Sequence, residues 1–171
     1  PLFLMIPNST PRSTTSPVHG GQQSLKIPFA EEGYYHNTFL VTPQLELTGH
    51  KILSFWYAMD YPTYADPTTV TVEISTSSND ISDFSVLQLV PTTTASYQFF
   101  NIIVDLEDYS GQNVYIAFHV EDAFGTSVYL DDVQVYDLPT CVPPASISVD
   151  NMGLNEVTLS WPNAGGNYSY E

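Results

Sequence analysis

Two alternating apolar patterns follow one another closely near the C-terminal third of the chain, and the second slips out of phase. Val114 to Tyr136 reads VYIAFHVEDAFGTSVYLDDVQVY. Val114, Ile116, Phe118 and Val120 fall on one face, and Tyr115, Ala117, His119 and Glu121 fall on the other, the period of a half-buried strand. The second run begins with Val128 and Leu130 on one face but resumes with Val133 and Val135, one position out of step. The slip lies at Asp131-Asp132. It predicts a β-bulge at the edge of an all-β core, since one extra residue in a strand sends every later side chain to the opposite face. A bulge also re-aims side chains, so both carboxylates can serve one hard cation, which a regular strand would forbid.

The rest of the chain repeats the strand signal without a helical period. SLKIPF places Leu25, Ile27 and Phe29 together, and NTFLVTPQLEL holds two short apolar pieces broken at Pro43, which cannot donate to a ladder. ILSFWYAMD reads as the central strand, with Leu53, Phe55, Tyr57 and Met59 alternating against Ser54, Trp56, Ala58 and Asp60. TVTVEIST, FSVLQLV and YQFFNIIVDL continue the pattern. Residues 1 to 23, rich in Pro, Ser and Thr, read as extended or loop-like, with Leu2, Phe3, Leu4 and Ile6 able to supply an edge strand. Eight or so strands and no helix predict an all-β, jelly-roll β-sandwich over 1–137. LPTCVPPAS has the composition of a stiff linker, 138–146. Beyond it, Ile147 with Val149, and Val157 with Leu159 and Trp161, predict a partial second β-sandwich over 147–171.

Charge narrows the function. Three basic residues, Arg12, Lys26 and Lys51, face 19 acids, a formal net charge of -16 in 171 residues. Such a surface repels phosphate backbones and anionic membranes, which excludes nucleic acid and direct membrane insertion and leaves calcium or a basic partner as counter-charge. Charged residues make up 13% and aromatics another 13%, so Thr, Ser and Asn carry much of the polarity, as on extracellular β-proteins. Cys141 is the single cysteine, which rules out an internal disulfide and cysteine-based metal sites and leaves pairing outside this sequence or a shielded thiol. PLFLMIP lacks the basic start of a signal peptide and reads as the interior of a longer chain.

Four groups of residues are candidates for binding. Asp131 and Asp132 lead as cation ligands; the plainer alternative is a turn cap and a solvated acid. Glu121 and Asp122 form a second oxygen cluster or, as the favoured reading, an ordinary solvated hairpin end. Were the two strands a hairpin, this pair would lie too far along the ladder to share an ion with Asp131; were they in opposite sheets, no such limit holds. Asp60, Tyr61, Tyr64 and Asp66 form an acidic, aromatic loop suited to sugars, against tyrosines simply packed on their neighbours. Trp56 is either an exposed platform or the core of another layer. Catalytic patterns do not appear: His19, His36, His50 and His119 have no zinc spacing, and there is no GxSxG elbow or phosphate loop. The sequons at Asn8 and Asn167 carry little weight.

The order HGGQQSLKI, FLVTPQLEL, ILSFWYAMD, TVTVEIS resembles MAM-type domains and their bacterial relatives, the cleaved-adhesin and gingipain adhesin domains. IIVDLEDYSGQNVYIAFHV followed by VYLDDVQVYD is the most specific stretch, and the resemblance covers roughly residues 18 to 137. The tail PPASISVDNMGLNEVTLSWPNAGGNYSYE is similar to the opening of a fibronectin type III domain. The resemblance implies a jelly roll on a secreted or cell-surface multidomain bacterial protein, with structural calcium at Asp131 and Asp132. The paired cysteines of eukaryotic MAM domains are absent, which favours the bacterial branch. The usual first strand is hard to recognise here, which leaves any N-terminal ligands open. The expectation is a non-catalytic adhesin-like module binding an extracellular or host protein. The rivals are a carbohydrate-binding module of a glycan-degrading enzyme and a structural spacer between neighbouring domains.

Overall fold

The computed structural model describes residues 4–6, 11–29, 35–62, 68–93, 95–122, 125–138, 148–152 and 157–160. The strands are β1 (Leu4–Ile6), β2 (Arg12–Thr14), β3 (Ser24–Ile27), β4 (His36–Val41), β5 (Leu45–Glu46), β6 (Lys51–Met59), β7 (Thr69–Ser75), β8 (Ser85–Leu89), β9 (Phe100–Asp105), β10 (Asn113–Asp122), β11 (Val128–Asp137), β12 (Ser148–Met152) and β13 (Val157–Ser160). Two single-turn 3-10 segments, Ile81–Asp83 and Glu107–Tyr109, are the helical elements among the described residues. None is long and apolar enough to cross a membrane.

The chain divides into two compact units, Pro1–Tyr136 and Asp137–Glu171. The first is a jelly-roll sandwich of two antiparallel sheets. One sheet runs β1-β4-β10-β7-β8, with β5 also on β10; the other runs β2-β3-β11-β6-β9. In the second unit β12 pairs with β13 in a two-stranded sheet whose register shifts between Val149 and Asn151. Ile147, Trp161, Cys141 and nearly all of the 138–146 stretch lie outside the described residues.

The alternation read from the sequence sets the core. Leu53, Phe55, Tyr57 and Met59 of β6 meet Val70, Val72 and Ile74 of β7 and Ile116, Phe118 and Val120 of β10, all buried. Phe55 and Phe118 meet edge to face, 4.9 Å between ring centroids, across the sandwich. Each such side chain taken from water contributes about 2 kcal/mol to folding. Pro43 does separate β4 from β5. Arg12–Thr14, within the stretch read as extended or loop-like, is a short strand on β3; the register Arg12↔Lys26 and Thr14↔Ser24 supplies the order that its polar composition does not announce.

β10 and β11 lie in opposite sheets, so the chain crosses the sandwich between them and they form no hairpin. Asp60 holds the crossing in place. Its buried carboxylate accepts hydrogen bonds from the Ser127 N–H at 2.7 Å, the Tyr61 N–H at 3.0 Å and the Thr126 hydroxyl. Thr68 adds a second tie, its Oγ1 accepting from the Thr126 N–H at 2.9 Å.

Candidate functional site

The backbone of β11 departs from regular strand geometry at the phase slip. Pairing of β11 with β3 runs Val128↔Ile27, Tyr129↔Lys26, Leu130↔Leu25. Asp132 then takes φ 47°, a left-handed conformation that a non-glycine residue adopts at some cost in strain. After it, Val133 and Val135 rejoin the core that Val128 and Leu130 had entered.

The consequence is convergence. Asp131 Oδ2 accepts from the backbone N–H groups of His19 at 2.8 Å and Gly20 at 3.2 Å. Its Oδ1 accepts from the Asp132 N–H at 2.8 Å. Asp132 Oδ2 lies 2.8 Å from His19 Nδ1. Both carboxylates therefore reach the same short segment, His19–Gly20. A Cβ at Gly20 would sit 2.5 Å from Asp132 Oδ2, so a side chain there would push the carboxylate aside. A small hollow lined by Ser24, Leu25, Asp131 and Asp132 opens beside them, between β3 and β11.

This donor set fits a hard cation at two carboxylates. Asp131 Oδ2 already uses both lone pairs on N–H groups, whereas Oδ1 keeps one free, and the Asp132 carboxylate meets the His19 side chain through Oδ2. Glu121 and Asp122 are not part of it. They end β10 in the other sheet, paired in regular register with Asn37 and His36. Glu121 Oε1 instead accepts from the Tyr35 hydroxyl at 2.8 Å, a bond that pushes the Tyr35 phenol above its ordinary value. The Asp122 side chain lies outside the described residues.

Glu121 belongs to a network on the outer face of its sheet. His119 Nδ1 lies 2.7 Å from the buried Glu73 carboxylate, and Nε2 lies 2.9 Å from Asn37 Oδ1. The imidazole stacks on Phe39 with 3.9 Å between centroids. Every polar atom named here has a partner within the protein.

Trp56 matches neither alternative read for it. It stands half-buried on the outer face of the second sheet, with one side of its indole covered by His19 at 3.7 Å and an interplanar angle of 13°. The tryptophan is thus a wall behind the bulge. Asp60 is consumed by the loop bonds described above. Tyr61 is 57% exposed, and Tyr64 and Asp66 lie outside the described residues. Its neighbour is a residue the sequence did not single out, Tyr97. The two rings lie 6.2 Å apart at 70°, and Tyr97 in turn packs on Tyr129, also at 6.2 Å. Lys26 Nζ stands 5.3 Å from the Tyr129 ring centroid. Neither His19 nor Tyr97 carries a local signal, since their partners are remote in sequence.

Residues 12–135 match the family described as Cleaved Adhesin Domain. The chain belongs to the Cleaved Adhesin Domain family. No curated protein matches the sequence. Among solved structures, the K1 cleaved adhesin domain of Lys-gingipain from Porphyromonas gingivalis W83 is similar with a TM-score of 0.61 at 20% identity, over 80% of this chain and 90% of that one. The K3 domain of the same protein gives 0.57 at 24% identity, over 68% and 73%. TmCBM61, solved in complex with β-1,4-galactotriose, gives 0.60 at 15% identity, over 80% and 88%. At these identities the three structures establish a shared jelly-roll fold. Membership of the Cleaved Adhesin Domain family supports a binding module over an enzyme.

Proposed function

We propose that this chain is a non-catalytic, extracellular adhesin-type binding module, carried on a secreted or cell-surface multidomain protein and stiffened by calcium at Asp131 and Asp132. The observation that carries the reading is the convergence of both carboxylates on His19–Gly20 through a bulge, in a member of the Cleaved Adhesin Domain family. Calcium would be held by Asp131 Oδ1 and the Asp132 carboxylate. It would supply charge, tying the 19–20 loop to β11 and offsetting part of the self-repulsion of a chain at -16.

The module takes an extracellular protein or a glycan as its ligand, and the exposed Tyr61 and Tyr97 favour the glycan. Residues 138–146 serve as a linker, and 147–171 begin a fibronectin type III-like domain; the antiparallel pair β12–β13 is compatible with that start. The test is a screen of the chain against arrays of glycans and of extracellular proteins, in calcium and again with chelator. Binding that weakens with chelator is the expected result. Silence on both arrays would leave a spacer domain as the better account.

A further inference from the structure

We infer that Tyr61, Tyr97 and Tyr129, edged by Lys26, form a binding site for a neutral oligosaccharide, an inference that rests on the binding-module reading above.

The geometry is that of a corner. Tyr61 and Tyr97 are 57% and 46% exposed, while Tyr129 beneath them is 3% exposed. With 70° between the upper rings, the pair forms two walls meeting at an angle, not a flat apolar plane. Exposed rings of this kind pack against the C–H faces of pyranose units. The phenol hydroxyls of the two exposed rings supply polar atoms at the rim to meet sugar hydroxyls.

The surface is also expensive to build. Tyr97 adopts φ 60°, where glycine is the ordinary choice, and its N–H donates to the Met59 carbonyl at 2.7 Å. Strain of this kind is found where a side chain is needed in a set direction. Below Tyr61, the buried Asp60 carboxylate accepts the Tyr61 N–H and so fixes the chain from which the ring projects. Lys26 is directed over Tyr129, where its charge supports the base of the corner.

Charge selects the occupant. Beside the corner, Asp60 is buried and its Oδ1 is taken up by Ser127, Thr126 and Tyr61, so this carboxylate is not exposed to hold a basic peptide. The chain's net charge of -16 repels sulfated, sialylated and phosphorylated ligands. A neutral sugar meets both conditions. Burial of stacked rings at two positions predicts that loss of either weakens binding roughly tenfold or more.

The test uses the whole chain on an array of neutral gluco-, galacto-, xylo- and manno-oligosaccharides, their sulfated and sialylated counterparts, and extracellular proteins, with calorimetry on the strongest hits. The expected result is binding to neutral sugars only, lost in Tyr61→Ala and Tyr97→Ala. Tyr97→Gly guards against misfolding, since glycine relieves the positive φ; it should melt close to wild type and still fail to bind. Sugar binding unchanged in all three variants overturns the site and leaves the binding-module reading intact. Binding to proteins alone overturns the sugar assignment and again leaves the module reading intact. No binding to sugars or proteins overturns both.

Discussion

Glu121-Asp122 ends β10 in unbroken register, and Glu121 joins the network of Tyr35, His119 and Glu73 on its own sheet. Asp131-Asp132 occupies the same kind of position in β11, also an acidic pair late in an alternating strand, yet there the backbone turns through φ 47° and both carboxylates meet one loop. Composition is nearly the same in the two places. The difference is the left-handed backbone at Asp132, which brings two adjacent acids onto one loop.

The largest effect that would break this contrast is expected at Asp131. Its carboxylate accepts three backbone N–H groups, and Asp131→Ala leaves them without a charged acceptor. A loss of about 2–4 kcal/mol is expected, read from urea unfolding, along with any calcium response. Glu121→Gln should lie within about 0.5 kcal/mol of wild type and keep the calcium response. Equal losses at the two positions would erase the distinction.

Gly20→Ala sharpens the comparison without touching a carboxylate. The new Cβ would displace Asp132 Oδ2, which lies 2.5 Å from its ideal position. About 1 kcal/mol of stability should go, with most of the calcium-dependent gain in melting temperature. Asp132→Gly is the converse: relief of the left-handed backbone offsets the lost pairing with His19, so net stability changes by less than about 1 kcal/mol while the calcium response disappears.

The strands and the bulge were legible because both are periodic signals. Val128, Leu130, Val133 and Val135 reveal the phase slip by themselves, and the alternation of 51–59 defines the central core strand. What the bulge faces was not legible, since His19 and Gly20 lie more than a hundred residues away. Sheet membership of β10 and β11 was also hidden, because a short loop such as 123–127 suits a hairpin or a crossing equally. Tyr97 has neither glycine nor a turn motif to mark its positive φ, and Arg12–Thr14 is a strand only through its partner β3.

The smallest expected effect lies on the Glu121 side. The Tyr35 phenol is raised first by its hydrogen bond to Glu121, then by burial and by the glutamate's charge. A group that holds its proton more tightly when folded adds stability below its unfolded value, near 10, and loses it as pH rises beyond. Tyr97 acts in the same direction, pushed up to about 12 by its bond to Tyr61, then by burial and by the neighbouring charges. Stability should therefore decline above pH 10. Glu121→Gln should shift the phenol absorbance titration of Tyr35 downward and flatten that decline slightly, leaving the Tyr97 contribution in place.

The most direct measurement is calcium titration of the whole chain by calorimetry, paired with thermal melts in calcium and in chelator, for wild type and Asp131→Ala. One ion per chain is expected. At a hundredfold excess over its dissociation constant it should add about 2.7 kcal/mol to wild type and nothing to the variant. Melting of wild type that is identical in calcium and in chelator would contradict the assignment of Asp131 and Asp132 as a cation site.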